Sequence, residues 1–230
     1  MNMAHTDSDK TRSVEGLPGV IPIFPLTGVL LLPGGQLPLN IFENQYLAMV
    51  EDALKDHRII GIIQPNGSSE IGPGENRPVF DTGCAGRITS FSETADGRYE
   101  IVLTGLSRFS IDEEMDRMRG YRRVRPQWDE FKHDLKGDTS PLKINRERLY
   151  KLIDEFFDLH EITCSWESIE AAPDSKLITA LSMICPLEPS EKQGLLEARD
   201  CARRAEMFMT MLELAIHSGC PTNSSKDQKH

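Results

Sequence analysis

The 230-residue chain lacks any long hydrophobic run. Its longest uninterrupted aliphatic stretch is Val29 to Leu32, far short of the roughly 20 residues a membrane-spanning helix needs. The first residues, MNMAHTDSDKTRS, contain no apolar signal core, so a cytoplasmic protein without a membrane partner is expected. Positive charge is also scarce. Lys and Arg number 26 against 36 Asp and Glu, a net charge of −10, whereas nucleic-acid binders are more often basic. The five cysteines, Cys84, Cys164, Cys185, Cys201 and Cys220, are odd in number and none is at C-x-x-C spacing. That pattern argues against a disulfide framework or a zinc knuckle and fits buried or surface thiols.

Catalytic signatures are missing as well. Without a Gly-Lys dipeptide there is no Walker A phosphate loop, and without G-x-S-x-G there is no hydrolase elbow. His160-Glu-Ile-Thr-Cys164 begins like a zinc-protease helix but ends in Cys, so the second metal ligand is absent. The run from Gly72 to Arg77 begins like a dinucleotide loop, but Arg77 stands where the third glycine belongs. No metal and no cofactor are expected. A Ser–Lys dyad needs only two residues brought together by folding, and nothing singles out such a pair.

What is present changes texture near residue 130. Residues 1–16 and 219–230 read as polar tails. Residues 17–128 are rich in Pro, Gly and short apolar runs, which suits strands and turns. Strands are expected at 20–24, 37–42 and 59–63, with Pro22 and Pro38 placing two of them at edges or bulges. Tyr46, Leu47, Val50, Ala53 and Leu54 mark one helix between Glu43 and Asp56, and 64–82 reads as a long loop. Asp96-Gly97 closes a hairpin between 86–92 and 98–103, and further strands are expected at 108–111 and 121–127. After a linker at 129–144, residues 145–218 read as helices. Leu149, Leu152, Ile153, Phe156 and Phe157 form one stripe, and Leu177, Ile178, Leu181 and Ile184 another. A short helical turn is expected at 166–171. Ser190 to Gln193 reads as a capping box. The stripe from Leu195 to Ala215 is expected to break between Glu197 and Asp200 and to stop at Gly219. The fold class is α+β, a β-rich lobe followed by a helical lobe.

Two acidic clusters and one basic stretch stand out. Asp112-Glu-Glu-Met-Asp116 and Asp154-Glu155 are candidates for acid–base work or a divalent cation, but charge runs are usually surface features, a turn and a helix face. Arg117, Arg119, Arg122, Arg123 and Arg125 with Tyr121 form a candidate nucleic-acid face. Both halves of the chain are acidic, and Glu100, Asp112, Glu113, Glu114 and Asp116 are available to neutralise the arginines. Structural ion pairing is therefore the default expectation.

Several motifs together carry a family resemblance. The run VIPIFPL at 20–26, LPG at 32–34 and LPLNIFE at 37–43 resemble the opening of the Lon protease N-terminal (substrate-binding) domain. GCAGRI at 83–88, DGRY at 96–99 and GLSRF at 105–109 resemble its central signature, and YRRV at 121–124 with Trp128 continues it. PSEKQ at 189–193, LLE at 195–197 and Arg203 or Arg204 resemble its closing helices. The resemblance implies a PUA-like β-rich pseudo-barrel lobe, then an α-helical bundle lobe. It also implies a non-catalytic polypeptide-binding or adaptor protein without the ATPase and protease domains. The implied partners are unfolded or exposed polypeptide segments and a cellular protease. Leu30, Leu31 and Leu32, read as exposed, with Trp128 and Phe131 are the candidate polypeptide contacts, and their alternative role is to complete the core. Two other functions stay open: an RNA-binding PUA-like module using the arginines, and a cryptic peptidase.

Overall fold

Short β-branched and aliphatic runs, punctuated by glycine and proline, build a sheet in the first half of the chain. The computed structural model describes residues 16–67, 77–136 and 142–219. The chain divides into two compact units, one through residue 137 and one from residue 138. The first unit holds six strands: β1 (Ile21–Pro25), β2 (Gln36–Ile41), β3 (Ile59–Ile63), β4 (Thr82–Glu93), β5 (Tyr99–Met118) and β6 (Tyr121–Gln127). One helix, α1 (Asn44–Lys55), separates β2 from β3. The strand order is β2-β5-β4-β3-β1-β6, and β6 pairs again with β5. The sheet therefore curls back on itself as a pseudo-barrel, with β2 attached outside.

The length of β5 makes this possible. Its first half pairs with β2 and β4, and its second half pairs with β6. The segment 108–111, expected as a separate strand, is the middle of this 20-residue strand. The acidic run Asp112 to Asp116, expected as a turn, also lies in it and faces the arginines of β6 across the ladder. Opposite charges directly across a strand pair hold a polar sequence extended where propensity alone would not. A two-residue turn, Arg119-Gly120, joins β5 to β6, with φ of 50° and 95°. Both central residues of this hairpin are left-handed, which glycine adopts freely and arginine at some cost.

Pro38 sits on the edge strand β2, as its missing N–H suggests. Pro22 does not, because β1 runs between β3 and β6. Its parallel pairing with β3 begins at Ile23, so the proline falls at the opening of the strand, where a missing donor is tolerated. Ile21, Ile23, Ile59, Ile63, Ala85, Phe109, Val124 and Trp128 form the core, with the Phe109 and Trp128 rings edge to face at 5.9 Å.

Glycine controls how closely the next layer approaches. Gly86 of β4 and Gly105 of β5 are direct cross-strand partners. A Cβ on Gly86 would meet Leu31 Cδ2 at 2.8 Å, and one on Gly105 would collide with the Leu32 carbonyl oxygen. The segment before β2 lies in this space. Gly34 N donates to Gly105 O and Gly105 N to Gly35 O, both at 2.9 Å. The stretch expected as a linker from residue 129 starts inside this unit, as 3-10 turns at Asp129–Phe131 and Asp134–Lys136. Asp134 binds Arg108 in a two-pronged pair, with N–O distances of 2.9 Å and both side chains nearly buried.

The second unit is helical: α2 (Arg146–Leu159), α3 (Trp166–Ala171), α4 (Asp174–Ile184), α5 (Pro189–Glu197) and α6 (Cys201–Ser218). The five expected apolar residues of α2 are buried, and α2, α4 and α5 all pack on α6. Arg146 clips the helix ends together. It donates to Asp174 Oδ1 at 2.6 Å and to the carbonyls of Glu170 and Ala172. The break expected after Glu197 is present, because the Asp200 side chain accepts from Arg203 N at 2.7 Å and starts α6 afresh. Gly219 ends α6 in the left-handed region at φ 58°. Two expectations need correction. The box caps α5 two residues earlier than expected, with Glu191 accepting from Glu188 N and Pro189 in the first turn. Ile184 is 65% exposed, since α4 ends there and Cys185 takes the inward position.

Two measurements probe this architecture. Gly105→Ala is expected to destabilise the fold by about 1–3 kcal/mol, read from the urea midpoint, because the Leu32 backbone must move. Gly19→Ala, with open space around it, is the control and should change little. Tyr121 OH donates to Asp52 of α1 at 3.0 Å, and burial followed by that bond raises its phenol from 10.0 to about 12. The unfolded chain loses this proton from about pH 10 and the folded chain only near pH 12. The contribution is complete below the lower value and is lost as pH rises through the window. Tyr121→Phe should make the alkaline fall in stability shallower, followed by circular dichroism. An unchanged profile would contradict it.

Candidate functional site

The expected contacts lie deeper than their sequence suggests. Leu30, Leu31 and Leu32 are 2%, 1% and 0% exposed, so the expectation of an exposed aliphatic strip is corrected. The Gly86–Gly105 pair removes the side chains that would otherwise hold these leucines off the sheet. Trp128 and Phe131 are buried too. Trp128 packs on Phe109 and donates its indole N–H to Pro18 O at 3.3 Å. Phe131 lies under the Arg108 guanidinium at 4.6 Å, a cation–π contact. All five complete the core of the first unit, and in this conformation none offers a surface to a partner.

The arginine stretch does not form one positive face. Arg122 forks onto Glu114, with both N–O distances at 2.7 Å, and donates to Arg77 O at 2.8 Å. Arg119 reaches back to α1, to Glu51 at 2.9 Å and Asp52 at 2.8 Å. Arg125 pairs with Glu113 at 2.5 Å, and Arg123 donates twice to the Asp116 carbonyl. Strand geometry explains the pattern for Arg122, Arg123 and Arg125, which stand near the acidic stretch of β5 across an antiparallel ladder. The Arg125–Glu113 pair is half exposed, and such pairs contribute at most about 1 kcal/mol. The Arg122–Glu114 fork is better shielded and fixes the guanidinium plane.

A concavity lies among these pairs. A cleft of about 290 Å³ is lined by Pro25, Thr27, Gln45, Tyr46, Pro65, Arg77, Arg117, Gly120, Tyr121 and Arg122. It lies where the end of β1, the start of α1 and the β5–β6 turn converge. In the sequence, Arg117 and Arg122 are candidates only for the nucleic-acid alternative, with ion pairing as the default. In the sequence Tyr46 belongs to an apolar helical stripe, and Arg77 stands only where a glycine motif fails. No local spacing brings these residues together; the left-handed turn at Arg119-Gly120 does. Burial and the Glu43 carboxylate raise the Tyr46 phenol, while Arg122 and Arg117 pull it back down, so both guanidinium fields reach the ring. Phe24 stacks on the same ring at 4.1 Å.

Among the described residues no group of three or more His, Cys, Asp and Glu could hold a metal ion. Cys84, Cys185 and Cys201 are buried thiols and Cys164 is exposed, while Cys220 lies outside the described residues. Of the expected 64–82 loop, residues 68–76 also lie outside them, and Pro65 and Val79 bridge the ends that are described. Among the described residues, no helix is long and apolar enough to cross a membrane.

Comparison with known proteins agrees with this architecture. The family model of the ATP-dependent protease La (LON) substrate-binding domain matches residues 20–213. Lon protease 2 of Myxococcus xanthus is 27% identical over 201 residues, covering 86% of this chain and 24% of its own length. The Lon protease of Anaeromyxobacter dehalogenans is 26% identical over 201 residues, covering 86% of this chain and 23% of its own length. The chain thus spans about a quarter of the length of these relatives. Among solved structures, a Lon N-terminal domain protein from Xanthomonas campestris aligns with a TM-score of 0.55 at 22% identity, covering 83% of this chain and 97% of that one. The N-terminal domain of Mycobacterium avium complex Lon protease aligns at 0.57 with 15% identity, covering 84% and 98%. At such identities the structural likeness speaks for the fold alone. With the family match running through the strands of the first unit and the helices of the second, the chain belongs to the Lon substrate-binding domain family.

Proposed function

We propose that this chain recognises exposed or unfolded polypeptide segments without cutting them and acts as an adaptor for a cellular protease. The observation that carries this is the family match over residues 20–213, which takes in both units. The surface of the first unit supports it. β2 is paired along one side only among the described strands, and an extended polypeptide adds to such an edge through main-chain hydrogen bonds. Phe42, directly after β2, is 39% exposed, and Phe91, on β4 with β5 between it and β2, is 41% exposed. Such contacts are tolerant of sequence, as client binding requires. The nucleic-acid alternative loses support because the arginines it needs are largely engaged by carboxylates and carbonyls of their own unit.

In-cell photo-crosslinking from benzoylphenylalanine placed at Phe42 or at Phe91 tests the proposal. Mass spectrometry should recover a broad set of protein clients, enriched after heat shock, and a protease among the captured partners. Recovery of RNA with no enriched protein would sink it.

A further inference from the structure

β2 is the outermost strand of the sheet order, and no other described strand covers its outer side. What that side offers follows from how the chain enters it. Gly34 N donates to Gly105 O while Gly105 N donates to Gly35 O, both at 2.9 Å, and Gly34 is left-handed at φ 77°. Two residues thus oppose one, a glycine bulge that makes Gly105 part of a hydrogen-bonded pair. From there, bonded and non-bonded pairs alternate along an antiparallel ladder. In the register Gln36↔Thr104 to Ile41↔Tyr99, Leu37, Leu39 and Ile41 turn their main-chain groups toward β5. Gln36, Pro38 and Asn40 turn theirs outward. The side chains of the same three residues are exposed, while Ile41 is buried on the other face. The outer edge therefore carries carbonyl acceptors at Gln36, Pro38 and Asn40 but N–H donors at Gln36 and Asn40 alone, because proline has none.

We infer that Pro38 is the specificity-determining residue of this edge, admitting an extended polypeptide client and denying the edge to a second copy of the chain. The inference rests on the polypeptide recognition proposed above and names how one surface performs it. The edge is complementary in partial charge to an extended main chain, which presents N–H and C=O groups at the same alternate spacing. A client strand with no proline facing β2 makes three antiparallel pairs of two bonds each, less the one bond that needs a Pro38 donor. The client carbonyl left over lies at the exposed rim and stays in water, so the loss is small.

A copy of β2 brings the same proline with it. Pro38 opposite Pro38 of a second copy loses both bonds of the central pair. Pro38 opposite Gln36 or Asn40 of a second copy loses one bond in each of two symmetry-related pairs. Self-pairing thus loses two bonds in every antiparallel register that includes Pro38, where a client loses one. Proline on an exposed edge is a known guard against edge-to-edge association. Here the guard falls on one of three outward positions and leaves the other two open to a client.

The test uses the full chain. Fluorescence anisotropy follows a labelled, proline-free peptide of alternating Thr and Val flanked by lysines, and sedimentation velocity follows self-association. Pro38→Ala restores the donor. It should tighten peptide binding by about five-fold, for one hydrogen bond, and self-association by about twenty-five-fold, for two. Asn40→Pro removes another outward donor without touching a bond to β5 and should weaken peptide binding by about five-fold. Circular dichroism and the urea midpoint check that both variants fold. Peptide binding that neither substitution changes overturns the edge as the site and leaves recognition by another surface standing. A peptide bound by neither the wild-type chain nor Pro38→Ala overturns both readings. Tighter peptide binding by Pro38→Ala with no gain in self-association overturns the selection against a second copy.

Discussion

The pairing of Gly86 with Gly105 is the constraint on which the first unit depends. Two missing side chains at one point of the β4–β5 ladder open a trough, and the chain before β2 fills it with Leu31 and the Leu32 backbone. Burying a leucine contributes roughly 1.5–3 kcal/mol, so the three leucines are a large part of the margin that holds a domain of this size. A triple-leucine run that looks like a sticky surface becomes interior, so the polypeptide contacts proposed above fall on other parts of the surface. The two backbone bonds between Gly105 and the Gly34–Gly35 corner hold the segment in register and deliver β2 to the outer edge of β5.

A second organising principle is charge matched across a ladder. The distal half of β5 is acidic and β6 is basic, and each sequence alone is a poor strand. Paired antiparallel, Arg122 meets Glu114, Arg125 meets Glu113 and Arg123 binds the Asp116 carbonyl, which keeps the hairpin extended and breaks up a contiguous cationic face. The turn at Arg119-Gly120 then swings Arg119 onto α1 and brings Gly120 to within 3.3 Å of Gln45 for a Cβ built there. The cleft results from this closure. It gathers residues from the end of β1, the start of α1, the segment before β4 and the hairpin end.

Local pattern made much of the fold legible. Alternation in 99–104 and the Asp96-Gly97 turn identify their hairpin, and the period of α2 identifies its buried face, because side-chain direction there follows backbone geometry within a few residues. The Asp200 cap is local in the same sense, since it reaches only three residues forward. The exposure of Ile184 is not legible in the same way, because periodicity says which way a residue points but not where its packing partner ends. Nor is the second half of β5, whose stability comes from residues of β6 that single-strand propensity ignores. Arg77 and Tyr46 were invisible as site residues. They are 31 positions apart, and only tertiary closure puts them on one cleft.

The class of the protein is written in the order and type of its residues. The order of its motifs from Val20 to Arg204, the change from strand to helix texture, and the charge of −10 point to a substrate-binding domain of the Lon family and away from a basic nucleic-acid module. Tertiary structure alone decided which residues are surface. Whether Leu30 to Leu32 face solvent depends on two glycines more than 50 residues further along the chain, and whether an arginine is free depends on which carboxylate the fold places beside it. Exposure and electrostatic partnering are sums over neighbours distant in sequence, and no local pattern contains them.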